Sequence, residues 1–214
     1  MKNKIKFEAA AHYYRSHIVN RSENEIWFVL HGYGQLAAFF LEKFKPVFND
    51  HRLIIAPEGT NYAYIEGFSG RVGANWMTKH ERLSAIENNN NFLNAILNSY
   101  LVKYAEMPKV KVLGFSQGAA TATRWVDQLR VPVETLVLWA GGYAEDLRSG
   151  MQGNNLKNCK TWIVLGDNDP FITPESLEIQ QEIINSLGVK AERLSFSGGH
   201  ELEISVLKKI FEDK

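Results

Sequence analysis

The chain has 214 residues, 45% of them hydrophobic and 22% charged, which suits a globular protein with a sizeable buried core. Lys+Arg and Asp+Glu each number 24, a balance that argues against a nucleic acid or an anionic membrane held by bulk charge and leaves a small-molecule substrate as the expected partner. The single cysteine, Cys159, excludes an internal disulfide and, beside Asn158 and Lys160 ahead of an apolar strand, reads as structural.

The basic N-terminus, Met1 to Phe7, is not followed by an apolar run of signal length, and no stretch reaches the length of a transmembrane helix. A cytoplasmic protein is therefore expected. Its oligomeric state is left open, a homodimer included. Two alternating segments, Ile5 to Glu8 and Tyr13 to Val19, suggest a hairpin at a sheet edge. Ile26 to Leu30 is continuously apolar, as a strand covered on both faces must be. It ends in His31-Gly32-Tyr33-Gly34, where two glycines let the backbone approach a ligand closely. Coming after the His-Gly pair, Tyr33 is a candidate backbone donor to a developing oxyanion. His31 comes before Ser116, the serine of the Gly-x-Ser-x-Gly turn, and reads as structural.

Leu36 to Phe48 is expected to be helical, and Arg52 to Ala56 is a second buried strand stopped by Pro57. From Glu58 to Lys79 runs a long loop rich in Gly, Asn and aromatic residues. Its Tyr62, Phe68 and Trp76 are candidates for a pocket wall, although Phe68 and Trp76 are equally readable as covers of the core. Ser84 to Lys103 has helical spacing of its apolar residues.

Val110 to Phe115 is the next apolar strand, and it runs directly into Gly114-Phe115-Ser116-Gln117-Gly118. Only small residues allow a strand to fold back so sharply into a helix. Ser116 at the tip is then an exposed nucleophile, with the following helix, Gln117 to Leu129, aiming its N-terminal amides at any oxyanion. Strands Glu134 to Ala140 and Thr161 to Gly166 follow, separated by a polar, loop-like stretch at 143–159. The first ends in Gly141-Gly142. The second opens into Asp167-Asn168-Asp169-Pro170-Phe171-Ile172. A helix from Pro174 to Leu187, a strand from Ala191 to Phe196, the loop Ser197-Gly198-Gly199-His200 and a helix from Leu202 to Phe211 complete the chain.

Alternating strands and helices imply an α/β fold: a mostly parallel sheet of about eight strands, helices on both faces, one domain over 1–214 and minimal or no cap. Ligand groups gather beyond the carboxyl ends of such strands, where His31-Gly32, Ser116, Gly142, Asp169 and His200 all fall. A serine needs a base, and His200 alone among the six histidines follows both the serine and a later strand-end acid. For the acid, Asp169 is favoured over Asp167, whose position suits bonding to its own turn, and Asp146 comes third. Phe171 and Ile172 are expected to anchor the acid's loop, and Gly142 and Phe171 complete the tentative pocket set with Tyr62, Phe68 and Trp76.

These motifs together resemble the phospholipase/carboxylesterase family of the α/β-hydrolases, which includes the acyl-protein thioesterases. The resemblance covers about 25–212, and its Gly-Phe-Ser-Gln-Gly elbow is more specific than Gly-x-Ser-x-Gly. It implies Ser116 as nucleophile, Asp169 as acid, His200 as base, and the backbone N–H groups of Tyr33 and Gln117 as oxyanion hole. It also implies a reaction without cofactor or metal on carboxylic esters or thioesters. The chain departs from the family in having Trp76-Met77-Thr78 where a Trp-aromatic-Asp segment is usual. The expected activity is that of a carboxylesterase on short to medium acyl chains. The alternatives are an acyl thioesterase or lysophospholipase and, less favoured, a non-catalytic binding protein on the same fold.

Overall fold

Seven strands form the central sheet of the computed structural model, which describes residues 1–149 and 155–213. The strands in chain order are β1 (Tyr13–Arg15), β2 (Glu25–Leu30), β3 (Arg52–Pro57), β4 (Asn61–Tyr64), β5 (Val72–Asn75), β6 (Lys109–Phe115), β7 (Val133–Trp139), β8 (Lys160–Gly166) and β9 (Glu192–Phe196). The helices are α1 (Ala37–Glu42), α2 (Arg82–Leu101), α3 (Gln117–Gln128), α4 (Asn155–Asn158), α5 (Pro174–Leu187) and α6 (Ile204–Glu212). The central sheet runs β1-β3-β2-β6-β7-β8-β9, parallel throughout except for β1, while β4 and β5 pair as a separate antiparallel hairpin.

Burial on both faces explains the continuous apolar runs. Ile26, Phe28 and Leu30 join a core with Leu93 and Ile96 of α2, Trp125 of α3 and Ile183 of α5. The alternate residues Trp27 and Val29 join a second core with Phe40 of α1 and Phe211 of α6, and Trp27 stacks on Phe211 at 3.9 Å between ring centroids. With the main strands parallel, the loops after β2, β6, β7, β8 and β9 all emerge at one edge of the sheet.

Several expectations need correction. The N-terminal hairpin does not form. Only Tyr13–Arg15 is a strand, and it pairs with β3, while Lys2, Lys4 and Lys6 reach Glu81 and Glu87 beside and on α2. A four-residue alternation at Ile5 to Glu8 is too short to specify a strand without a sheet edge to receive it. The 58–79 segment is not an irregular loop: Tyr62 faces Ala74 and Tyr64 faces Val72 across the β4–β5 hairpin, whose tip holds Gly67 and Gly70 at positive φ. The 36–48 helix breaks into α1 and a 3-10 turn, Lys45–Val47, where Pro46 intrudes. Within 143–159 lie a 3-10 turn at Glu145–Ser149 and α4, and the part at 150–154 lies outside the described residues. The expected eight strands are thus seven in the sheet plus a two-stranded hairpin.

The opposite edge of the sheet is tied by charge. Glu25 is buried between Arg52, whose Nε donates to Oε1, and Lys111, whose Nζ lies 2.7 Å from Oε2. Arg52 also donates to the carbonyls of Val47, at 2.8 Å, and of Phe211. Burial alone would push the Glu25 carboxyl up, but hydrogen bonds and charge from Lys111 and Arg52 outweigh it and hold it below its usual range. A depressed carboxyl stabilises the fold above its unfolded value of 4.5, and that contribution is lost as pH falls further. Glu25→Ala would take from buried Arg52 its carboxylate partner and leave Lys111 only Glu134, at 3.5 Å, and is expected to cost about 3–5 kcal/mol near pH 7. Urea unfolding of both proteins reads this loss, and the gap between them should narrow below pH 4.5.

Candidate active site

At the end of β6 the chain reverses into α3 through Ser116, whose φ of 54° and ψ of −118° lie outside the regions favoured by non-glycine residues. Its N–H donates to Trp139 O at 2.8 Å, which pins the turn to β7. A Cβ on Gly114 would stand 2.3 Å from Gly118 O, and one on Gly118 would stand 2.2 Å from Leu30 O. Backbone therefore packs on backbone at both positions, and the N-terminus of α3 arrives directly against the end of β2.

The loop after β2 is braced from several directions. Gly32 N–H donates to Gln35 Oε1 at 2.9 Å, and Gly34 N–H donates to Ala74 O at 2.8 Å. A Cβ on Gly32 would lie 3.2 Å from Ser116 Cβ, so this loop touches the elbow. Between these braces, the Tyr33 N–H has no protein acceptor among the described residues, and neither does the Gln117 N–H at the start of α3.

His31 is wholly buried behind this loop. Its Nδ1–H donates to Gly32 O at 2.7 Å, its Nε2 accepts from Gly59 N–H at 2.9 Å, and its ring stacks on Trp76 at 5.0 Å. Burial pushes its pKa down, against smaller opposing effects of the Gly32 carbonyl and the Glu58 charge. With both ring nitrogens engaged, it is a structural residue.

Asp169 and His200 meet across the loops after β8 and β9. His200 Nδ1–H donates to Asp169 Oδ2 at 2.7 Å, and Asp169 Oδ1 accepts from Phe171 N–H at 2.9 Å. The Asp169 carboxylate is fully buried. Asp167 straps the loops instead: its Oδ1 accepts from Gly198 N–H at 3.0 Å and from Asn168 Nδ2 at 2.8 Å. Asp146 is taken by Arg124 at 2.8 Å and Arg82 at 3.1 Å. The His200 ring sits between Phe115, at 5.0 Å, and Phe171, at 4.8 Å, and Trp139 Nε1–H donates to Glu201 O to hold the loop. Cys159 is buried away from these groups, and burial raises its thiol pKa.

Ser116 and His200 line one cavity of about 320 Å³, walled by Gly142, Phe171, Ile172, Leu177 and Gln180 among others. Of the five residues expected in the pocket, Gly142 and Phe171 are there. Phe171 is 68% exposed and does not anchor its loop in the core. The other three are corrections. Trp76 is fully buried, its Nε1–H donating to His31 O at 2.8 Å, because it plugs the base of the hairpin. Phe68 is 98% exposed at the hairpin tip, beyond reach of the cavity, and Tyr62 is tied by its hydroxyl to Glu58 Oε1 at 3.0 Å.

Three polar side chains whose roles sequence reasoning passed over hold these parts together. The Gln117 side chain accepts from Trp76 N–H at 2.9 Å and donates to Met77 O at 2.8 Å, clamping the hairpin to the elbow. Glu58, buried just after Pro57, accepts from Ala37 N–H at 2.8 Å and sets the start of α1. Gln180 of α5 bonds both N–H and C=O of Tyr143 at the cavity wall. A carboxylate directly after a strand-ending proline, and a glutamine within the elbow, were the signals that could have found two of them.

The sequence matches the model of the serine hydrolase (FSH1) family over residues 22–202. No curated protein matches it. Among solved structures, the chain is similar to esterase PE8, with 20% identity, a TM-score of 0.71 and coverage of 95% of this chain and 97% of that one. It is similar to a Bacillus cereus carboxylesterase with 19% identity, a TM-score of 0.68 and coverage of 95% and 93%. It also resembles Zea mays acyl-protein thioesterase 2, with 13% identity, a TM-score of 0.72 and coverage of 95% and 97%. At these identities the likeness is one of fold, and that fold is the α/β-hydrolase fold. Among the described residues, no helix is long and apolar enough to cross a membrane.

The buried, neutral His31 yields a prediction. Below its unfolded value of 6.5 the unfolded chain takes up a proton that folded His31 resists, so stability falls as pH falls. His31→Gln keeps an acceptor for Gly59 without the titration. It should therefore lose less stability than wild type between pH 7 and pH 5, with a difference in slope of up to about 1.4 kcal/mol per pH unit. Urea unfolding across that range checks this, and parallel pH profiles would contradict it.

Proposed function

This chain belongs to the serine hydrolase (FSH1) family, and from that premise we propose that it cleaves carboxylic esters through Ser116, His200 and Asp169 and a covalent acyl-enzyme. The observation that carries the reading is the 2.7 Å bond from His200 to buried Asp169 beside a cavity that Ser116 also lines. With Nδ1 committed to Asp169, the ring has Nε2 available to take the serine proton. Ser116 Oγ bonds to the ester carbonyl carbon as its proton passes to His200. The carbonyl oxygen, now negative, accepts hydrogen bonds from the Tyr33 and Gln117 N–H groups, which have no protein acceptor to give up. The C–O bond to the alcohol breaks, and His200 returns the proton to the departing oxygen. Water then repeats both steps on the acyl-enzyme and releases the acid. Side chains and backbone amides suffice for every step.

The cavity of about 320 Å³ beside Ser116 and His200 has room for a small group next to the reacting carbon, and esters of short to medium acyl chains are the reading to test first. One observation favours the thioesterase or lysophospholipase alternative: Tyr33, Phe39, Ile65 and Phe68 expose apolar surface around the hairpin, where a long chain would find cover. Rates on 4-nitrophenyl esters from acetate to palmitate separate the two, with an optimum below ten or so carbons expected on the first reading and beyond it on the second.

Ser116→Ala is expected to lower kcat on 4-nitrophenyl butyrate by about 10⁴- to 10⁶-fold. Full activity in that variant would end the assignment. Asp169→Asn should lose about 10³- to 10⁴-fold because the ring tautomer is no longer held, whereas Asp167→Asn, a loop strap, should lose less than about tenfold. The reverse order would reassign the acid.

A further inference from the structure

A second depression opens beside the loop after β2, whose Gly32 lies against the elbow. β2 and β7 lie on opposite sides of β6; the cavity described above follows β7 and β8, and this groove of about 550 Å³ follows β2 and borders the start of β5. Its apolar walls are Leu36, Phe39, Phe40 and Val72, and among the described lining residues Lys43 and Arg71 are the only charged ones. The groove begins at Gly34 and Gln35, one residue past Tyr33, and Gln35 itself braces Gly32 against the elbow.

Two features say what it would hold. First, a departing alcohol oxygen must reach His200 to be protonated, and His200 lines the cavity and not the groove. The alcohol side of an ester therefore lies toward the cavity and its acyl side toward the groove. Second, the groove's charge is one-sided. The neighbouring carboxylate of Glu42 is taken by Lys45, and neither the Lys43 nor the Arg71 side chain has a carboxylate at ion-pair distance among the described residues. The six residues of α1, at about 1.5 Å each, set Lys43 about 9 Å along the helix from its first residue, a length comparable to an extended eight-carbon acyl chain.

We propose that this groove receives the acyl arm of the substrate and that Lys43 and Arg71 select an acyl chain ending in an anion, the simplest example being a monoester of a medium-chain dicarboxylic acid. The inference rests on the ester-hydrolase reading above and names its substrate class. Apolar walls bury the methylenes, and the groove's two cations meet a carboxylate where a methyl terminus would gain nothing.

Two esters test it: 4-nitrophenyl octanoate and mono-4-nitrophenyl octanedioate share a leaving group and differ only at the end of the acyl chain. The measured quantity is the ratio of their kcat/KM values in wild type, in K43Q/R71Q and in K208Q/K209Q, which removes equal charge from α6. The octanedioate ester should be favoured about fivefold in wild type and in K208Q/K209Q, with a ratio near one in K43Q/R71Q. A wild-type ratio of one or less, or a preference that K43Q/R71Q retains, overturns the proposal. Failure of the reading beneath it looks different: wild type and Ser116→Ala would be indistinguishable on both esters, and a fluorophosphonate would not label Ser116.

Discussion

The close approach of α3 to the end of β2 is the constraint on which the rest of this molecule depends. A Cβ on Gly118 would collide with the Leu30 and His31 carbonyls, so the helix can lie there only because that position has no side chain. The same contact forces the sharp reversal at Ser116 and places the first free amide of α3 next to the loop after β2. The strained φ of Ser116 costs on the order of 1–3 kcal/mol. Its neighbours offset this: the bond to Trp139 O holds the turn, and Gly141 leaves room where a Cβ would come within 2.7 Å of Ser116 O.

Around that contact the site is stiffened by buried polar groups, each with a defined partner. His31 links Gly32 to Gly59, Trp76 links the hairpin to His31, Gln117 links the hairpin to the elbow, and Glu58 holds the start of α1. The hairpin is thus part of the wall behind the oxyanion loop and not an ornament above it. Charge is divided in the same spirit along the strands. The Glu25, Arg52 and Lys111 network locks the amino ends of β2, β3 and β6, leaving the carboxyl ends for loops that carry chemistry.

Strands such as Ile26 to Leu30 were legible in the sequence because burial on two faces leaves a continuous apolar run that neither a surface helix nor a solvated loop would carry. The strand-end placement of Ser116, Asp169 and His200 was legible for a related reason: glycines mark the two loops that must turn back over the sheet. What was hidden depends on contacts distant in sequence. The cavity wall comes from Ile172, which read as an anchor of the acid's loop, and from Leu177 and Gln180, which read as helix surface until α5 bonds Tyr143. Aromatic residues in the 58–79 segment drew the pocket reading instead, yet cross-strand pairing turned Phe68 outward and buried Trp76. Residues 5–8 show the reverse error, a local alternation with no sheet edge to use it.

The arrangement has a mechanical consequence for specificity. Gln35 both lines the groove and accepts the Gly32 N–H, and Gly34 both lines the groove and donates to Ala74. On the proposed reading, a group seated in the groove would press on the loop that carries the Tyr33 amide. Binding energy gained far from the ester is most useful when it is felt in the transition state and not merely in the complex. A loop held by one side-chain amide and one hairpin carbonyl, with its central N–H uncommitted, is a short path for that transfer. The cavity beside His200 has no such link to Tyr33: its walls are set by Gln180 and by the tight fit at Gly142, where a Cβ would lie 2.1 Å from Gln180 Oε1. If the groove takes the acyl arm as proposed, discrimination there would act through the Tyr33 loop and fall on kcat as well as KM, whereas the cavity side would discriminate by fixed shape.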